Sequence, residues 1–522
     1  MNTAALPPSS ATAAAPAQAR RPRRWRRRLA WATLAVGLTS VVLLAALWAL
    51  LRAALMPQAD EWATQIGRGP LALRASVPQL VWLATTPWIG ERLHGRHIAT
   101  RLGPVTLGWQ PAGAASAQPA LTLHCEPCTL PLPAAAGQDV LTVPAAQLAL
   151  SRDITAANGQ HLRGQLLLGA QAPDGARPVL AARWRAERQG GGWRVQLNWS
   201  DAPVRDWLAL LGPGLPELAH AQIDGTLALS AQVTLPEREM QIHPVLTGFA
   251  VQGLGTAEWA HLRPACGKAV THNARGWLAR AVLAAEDQNF YEHPGYDLPA
   301  LLHNWQNNQR AGAIAGGGST ITQQLAKLMV AGGDRNLQRK LRELIYAVEM
   351  EQTLGKARIL QLYLNLAPWG ERADGPPARR TLCGAEAAAQ HWFKVPAERL
   401  TPRQAVTLAA MLRNPGREAE RWAKEGSVDR SRLVWIAQQV RGVPIRTRRA
   451  LAASLQTEQA MHAATAAVVA ENARTPPSAS APQWPKARIA STAPPEAAAP
   501  QDDAPISSAH LALVNAGGAD AR

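Results

Sequence analysis

The carboxylates Glu286 and Asp287 open the run Glu286-Asp287-Gln288-Asn289-Phe290-Tyr291-Glu292-His293-Pro294-Gly295, directly after the small apolar stretch 281–285. A carboxylate emerging from a packed helix end is desolvated, which raises its pKa toward the range where it can accept a proton from a hydroxyl. A lone acidic pair is more often a solvated helix terminus, so this cluster needs support from others. A second cluster runs from Gly316 through Gly317, Gly318, Ser319 and Thr320 to Gln324 and Lys327. Its glycines permit close backbone approach, and Ser319 or Thr320 can cap a helix whose amide end favours an anion. Gln324 and Lys327 are i, i+3 neighbours on that helix. A phosphate-binding P-loop is excluded, because the Gly-Lys-Ser/Thr ending is missing. The third cluster is Arg339-Lys340-Leu341-Arg342-Glu343, in which Arg339 and Glu343 share a helix face. On a surface such a pair contributes only about 0.3–0.5 kcal/mol. Yet Lys is scarce, seven residues against 47 Arg, and Lys327, Lys340, Lys356 and Lys394 all fall in this part of the chain.

The elements that must carry these clusters differ along the chain. Residues 261–460 show apolar positions at i, i+3, i+4 and i+7, as in ARGWLARAVLAAEDQNF and RKLRELIYAVEMEQTLGKARILQLYLNLA, and read as mainly α-helical. Thr401 is a good N-cap with Pro402 at the first helical position, and that helix is expected to end at Asn414-Pro415. Residues 52–260 instead carry short alternating runs bounded by Gly, Pro and Asn, which read as antiparallel strands of a β-rich domain. In WRVQLNW, Trp193, Val195, Leu197 and Trp199 share one face, and Arg194, Gln196 and Asn198 the other. No catalytic constellation is visible there. Cys125 and Cys128 have C-x-x-C spacing without a second such pair, so a local disulfide or two thiols in a loop is preferred to a zinc site. Cys266 and Cys383 could also pair, although spacing alone does not show it. Residues 461–522 are Ala/Pro-rich and expected to be disordered.

The chain has 522 residues, enough for two or three domains at about 100–200 residues each. Four cysteines exclude a disulfide-dense scaffold. The net charge of +17 invites a nucleic-acid reading, but Arg20, Arg21, Arg23, Arg24, Arg26, Arg27 and Arg28 directly precede the uncharged apolar stretch 29–51. That stretch meets the roughly 20 residues needed to span a bilayer. It is longer than the apolar part of a signal peptide, and no small-residue cleavage site clearly ends it. The expected layout is a cytoplasmic basic tail (1–28), a single transmembrane helix (29–51) and an extracytoplasmic remainder, with the N-terminus inside.

Jointly, EDQNFYEHPGYD, GGSTITQQLAK, RKLRE, KARILQLYLN and GAEAAAQHWFKVPAERLTPRQAVTLAAMLRNP resemble, in order, the motifs of glycosyltransferase family 51. These are the peptidoglycan glycosyltransferases, found as monofunctional enzymes and as the polymerase domain of bifunctional penicillin-binding proteins. The monofunctional branch is the closer likeness, because no Ser-x-x-Lys transpeptidase domain follows. The resemblance implies a lysozyme-like helical fold and polymerisation of lipid II into β-1,4 glycan strands with inversion, releasing undecaprenyl pyrophosphate. It makes Glu286 the general base and Glu343 the second carboxylate, near the donor pyrophosphate. It places Ser319, Gln324, Lys327, Arg339 and Lys340 on the donor's phosphates and sugars, and adds Asp287, Phe290, His293 and Thr320 as substrate-binding positions. It implies lipid II, the growing strand, the inner membrane and cell-wall synthesis proteins as partners, not nucleic acid. It also implies Mg²⁺ or Mn²⁺ and no organic cofactor, though no ligand cluster in the sequence demonstrates a metal. The sequence departs from the family at Leu328, where Asn is usual after Lys, in a longer stretch after Gly370, and at Trp392–Val395. The alternatives are a non-catalytic envelope scaffold that binds lipid II or a cell-wall partner, and a lysozyme-like hydrolase.

Overall fold

The computed structural model describes residues 24–57, 61–66, 72–100, 102–113, 118–131, 140–153, 161–169, 179–212, 214–237, 239–262, 276–311, 318–330, 337–371 and 381–457. The basic residues before 24, Cys266, Gly316, Gly317, the stretch 372–380 and the Ala/Pro tail lie outside the described residues. Helix α1 (Arg24–Leu55) begins within the arginine run. Its segment Arg28–Leu50 is 23 residues long, and its most apolar stretch is not buried against the described residues. At about 1.5 Å per residue it can cross a hydrocarbon core of about 30 Å. The hydroxyls of Thr33, Thr39 and Ser40 donate to carbonyls one turn back, so they need no water in an apolar medium.

A short antiparallel pair, β1 (Ala63–Ile66) and β2 (Leu73–Ser76), leads into α2 (Val77–Ala84) and α3 (Pro87–Leu93). Ser76 caps α2 by accepting from the Gln79 amide, with Pro in the first turn. The chain then forms β3 (His97–Thr100), β4 (Gly103–Gln110), β5 (Ala120–Cys125), β6 (Cys128–Pro131), β7 (Val140–Val143), β8 (Ala146–Arg152), β9 (His161–Leu168), β10 (Leu180–Gln189) and β11 (Gly192–Pro203). After α4 (Val204–Leu211) it adds β12 (Gln222–Leu235) and β13 (Glu239–Gln252). Nine of these strands make one antiparallel sheet in the order β13-β12-β11-β10-β9-β8-β5-β4-β3, and β6 and β7 form a separate two-stranded pair. The expected β-rich region is present, with three helices that the alternating pattern did not announce. Cys125 and Cys128 are joined by a disulfide.

Period-two alternation decides the sheet's two faces. On β10, Leu180, Ala182, Trp184 and Ala186 are buried while Arg183, Arg185 and Glu187 are exposed. Trp184 and Trp193 join Leu150 and Leu162 in a core cluster beneath α2, and Trp207 and Leu210 of α4 help close a second one. The third and largest cluster is helical, but it includes Val204 and Leu208 of α4, Ile223 of β12 and Val251 of β13. The apolar core therefore continues across residue 260. Polar contacts cross with it. Arg342 pairs with buried Glu217 at 2.6 Å, and the buried Glu349 carboxylate accepts from the Leu254 and Thr256 amides. Trp259 stacks on Tyr346 with ring centroids 6.0 Å apart.

The helical region comprises α5 (Trp277–Glu286), α6 (Leu298–Ala311), α7 (Ile321–Met329), α8 (Leu337–Thr353) and α9 (Gly355–Leu366). A small pair, β14 (Pro368–Glu371) and β15 (Thr381–Cys383), precedes α10 (Ala385–Phe393), α11 (Pro402–Met411), α12 (Pro415–Glu425) and α13 (Arg430–Gln439). The long periodic run after Arg339 is broken at Gly355, which sits at φ +71°. Thr401 and Gln404 form a reciprocal capping box on α11. That helix stops at Met411, earlier than the Asn-Pro signal indicated. Asn414 instead caps α12, with Pro415 as its first residue, so the same dipeptide starts a helix rather than ending one.

Candidate active site

Helix α5 buries Leu278, Ala279, Ala281, Val282 and Ala284 and delivers Glu286 as its last residue. The Glu286 side chain is 12% exposed and meets Arg432 of α13, whose guanidinium lies 2.8 Å from Oε1. The Gln324 amide donates to Oε2 at 3.1 Å. Tyr363 fixes that amide's orientation by donating its hydroxyl to the Gln324 carbonyl oxygen at 2.8 Å. Desolvation pushes the Glu286 carboxyl above its ordinary pKa; Arg432 and Gln324 oppose the rise, and the charge of Asp287 adds to it. Burial likewise holds the Tyr363 phenol well above its usual value, so it stays a donor.

Asp287 faces inward. Its carboxylate accepts from the Ile321 amide at 2.9 Å and lies 3.0 Å from Nε2 of His293. His293 Nδ1 accepts from the Gly295 amide, which assigns the ring proton to Nε2. Thr320 caps α7 in a reciprocal box with Gln323, and its hydroxyl donates to the Gly295 carbonyl at 2.7 Å. Gly295 itself sits at φ +96°, where an added Cβ would come 2.8 Å from the Ala347 carbonyl oxygen. Phe290 is fully buried, with Lys356 Nζ 4.5 Å from its ring centroid. Asp287, Phe290, His293 and Thr320 thus latch the 286–295 loop to α7 and the core; they stand behind the cavity wall rather than in it.

On α8, Glu343 is 1% exposed and ion-paired with both Arg339 and Lys340, the latter at 2.7 Å. Lys340 Nζ also donates to the Ser319 hydroxyl at 2.7 Å. Ser319, Gln324 and Glu286 line one cavity of about 690 Å³ together with Arg413, Arg432 and Trp435. The acid at 286 therefore shares this space with Ser319, the cavity end of the Ser319–Lys340–Glu343 chain. Lys327 lies on the exposed face of α7, and Leu328 beside it packs against the helical core.

Sequence reasoning did not single out Arg413, Arg432, Trp435 or Tyr363. Arg432 stands 146 positions from the carboxylate it holds, and no local pattern distinguishes it from the chain's other arginines. Trp435, 41% exposed on the following turn of α13, is a weak clue in hindsight, being an aromatic on a helix face that would ordinarily be polar.

Among the described residues, no group of three or more His, Cys, Asp or Glu side chains could hold a metal ion. Glu286 at the cavity is already ion-paired with Arg432, and the buried Glu343 with Arg339 and Lys340. Mg²⁺ or Mn²⁺ is commonly held by one or two carboxylates together with substrate phosphates, so a carboxylate here would hold such an ion only in company with a bound diphosphate. What this set of residues can do is accept a proton at Glu286 while cations at Lys340 and Arg413 stabilise developing negative charge.

Residues 269–440 match a family model described as transglycosylase. Proteins named biosynthetic peptidoglycan transglycosylase are similar to this chain. That of Ralstonia nicotianae is 48% identical over 138 residues, 26% of this chain and 55% of the relative. That of Alcanivorax borkumensis is 46% identical over 139 residues, 27% and 53% respectively. The Nitrosomonas eutropha protein is 39% identical over 161 residues, 30% and 62%. The chain spans a little over half the length of these relatives.

Proposed function

We propose, from the match of residues 269–440 to the transglycosylase family model, that this chain is an inner-membrane peptidoglycan glycosyltransferase that polymerises lipid II. The observation that carries this reading is the single cavity shared by Glu286 and Ser319, the latter bonded to Lys340. Glu286 takes the proton of the acceptor's GlcNAc 4-hydroxyl as that oxygen forms a bond to the donor's anomeric carbon. The bond from that carbon to the diphosphate oxygen breaks, and its electron pair leaves with undecaprenyl pyrophosphate. Attack opposite the leaving group turns an α-linked donor into a β-1,4 linkage. Arg339 and Lys340, held in place by Glu343, and Arg413 supply positive charge where the diphosphate gains negative charge. No step is routed through a metal.

The arginine run before the apolar stretch of α1 keeps the N-terminus cytoplasmic, so the sheet and the helical region lie on the periplasmic side. The Cys125–Cys128 disulfide supports an oxidising location for the sheet.

Incubating the purified full chain with lipid II in detergent tests the proposal. Polymer on a gel is expected. Binding of lipid II with no polymer would favour the scaffold alternative, and shortening of preformed strands would favour the hydrolase.

A further inference from the structure

The nine-stranded sheet carries a second cavity, of about 200 Å³, on the solvent face of β11–β13. Its polar lining comes from Gln196, Asn198, Ser230, Gln232, Gln241 and His243. The register arranges these side chains in two parallel rows. Asn198 opposes Ser230, which opposes His243; Gln196 opposes Gln232, which opposes Gln241. Among the described residues, the four side-chain amides have no hydrogen-bond partner in the protein. Each amide offers an acceptor oxygen and two N–H donors, the pairing that sugar hydroxyls and acetamido groups can satisfy from both sides. A solvated sheet face ordinarily favours Thr and charged residues, and Asn is depleted in strands, so an amide cluster on three adjacent strands is not what sheet stability alone selects.

Both rows run onto cations. Arg183 opposes Asn198 and Arg185 opposes Gln196 across β10, and Arg163 on β9 stands directly opposite Arg185. Like charges placed directly across a ladder destabilise it, an arrangement that an anion bound between them would relieve. The only carboxylate paired with this group among the described residues is Asp153, 3.9 Å from Arg163.

We infer that this face is a binding site for an acidic, acetamido-bearing glycan, with amides reading the sugars across β11–β13 and arginines reading carboxylates across β9–β10. Resting on the proposed function, its occupant is the peptide-bearing glycan strand produced at the active-site cavity, whose stem carboxylates complement Arg163, Arg183 and Arg185.

The test titrates the full chain in detergent with fluorescent, uncrosslinked glycan strands carrying stem peptides, with GlcNAc oligomers, and with polyglutamate. The variants are Asn198→Thr with Gln241→Thr, which keep strand propensity, and Arg183→Gln with Arg185→Gln. The amide pair is expected to weaken strand binding about tenfold, as the loss of one or two hydrogen bonds would. The arginine pair is expected to weaken strand binding while leaving GlcNAc oligomers unaffected. Initial rates of lipid II polymerisation should match wild type in both. Strand affinity unchanged in both variants would overturn the inference, as would polyglutamate binding as tightly as the strand. Strand binding lost in the variants of a chain that never polymerises lipid II would support the face and sink the catalytic reading instead.

Discussion

Arg432 is the strongest influence holding Glu286 toward its charged form, and its replacement gives a signed, sizeable prediction. The guanidinium and carboxylate are 2.8 Å apart, and their side chains are only 15% and 12% exposed, so solvent screens the pair weakly. An opposite charge at such range lowers a carboxyl pKa by about one to three units, or about 1.4–4 kcal/mol. Desolvation already raises the Glu286 pKa against this pull. In Arg432→Met the larger opposing influence is gone and only Gln324 remains, so the carboxyl must hold its proton to higher pH. The acid limb of the kcat/KM profile for lipid II polymerisation should therefore move up by about one to three pH units. Activity should recover above the new limb. Arg432→Lys, which keeps the charge, should move it less. The assay is the initial rate of polymer formation from labelled lipid II across the pH range in which the variant stays folded. A limb that stays in place, or equal loss at every pH, would refute the claim that Arg432 acts through Glu286.

The same desolvation predicts a stability effect of defined sign. Because folding raises the Glu286 pKa, its contribution is most favourable below the ordinary carboxylate pKa and is lost as pH rises through the folded value. Glu286→Gln should accordingly raise the melting temperature at neutral pH, with a gain that shrinks on acidification in thermal unfolding scans. Glu343→Ala strips a fully buried partner from Arg339 and Lys340; the cost should be about 3 kcal/mol by denaturant unfolding, the low end for a buried pair because Lys340 is half exposed. Gly295→Ala forces a left-handed backbone and a Cβ against the Ala347 carbonyl, and should cost about 1–3 kcal/mol in the same measurement. Its effect on polymerisation should follow from the loosened 286–295 latch.

What could be read in advance was what neighbours in sequence determine. The side-chain alternation of β10 and β11 and the Thr401 cap each depend on residues within a few positions of one another, as does the Cys125–Cys128 pair, which the spacing left as either a disulfide or two thiols. So does the delivery of Glu286 by the end of an Ala-rich helix. The Arg432 partner of Glu286, the Tyr363 hydroxyl behind Gln324 and the Arg413–Trp435 side of the cavity depend on packing between distant helices. Spacing in the chain carries no trace of such contacts. Asn414-Pro415 shows a local signal with two meanings, since a residue that disfavours continuing a helix is also pre-set to begin one. The apolar core shared by Val251, Ile223 and the helical region was hidden for a similar reason: alternation names a strand's buried face but not the element that covers it.

The most direct measurement concerns the proton acceptor itself. Purified Glu286→Gln protein, shown to be folded and to bind lipid II, should form no glycan polymer and release no undecaprenyl pyrophosphate. Polymerisation by that variant at the wild-type rate would contradict the assignment of the base and, with it, the catalytic role of the cavity.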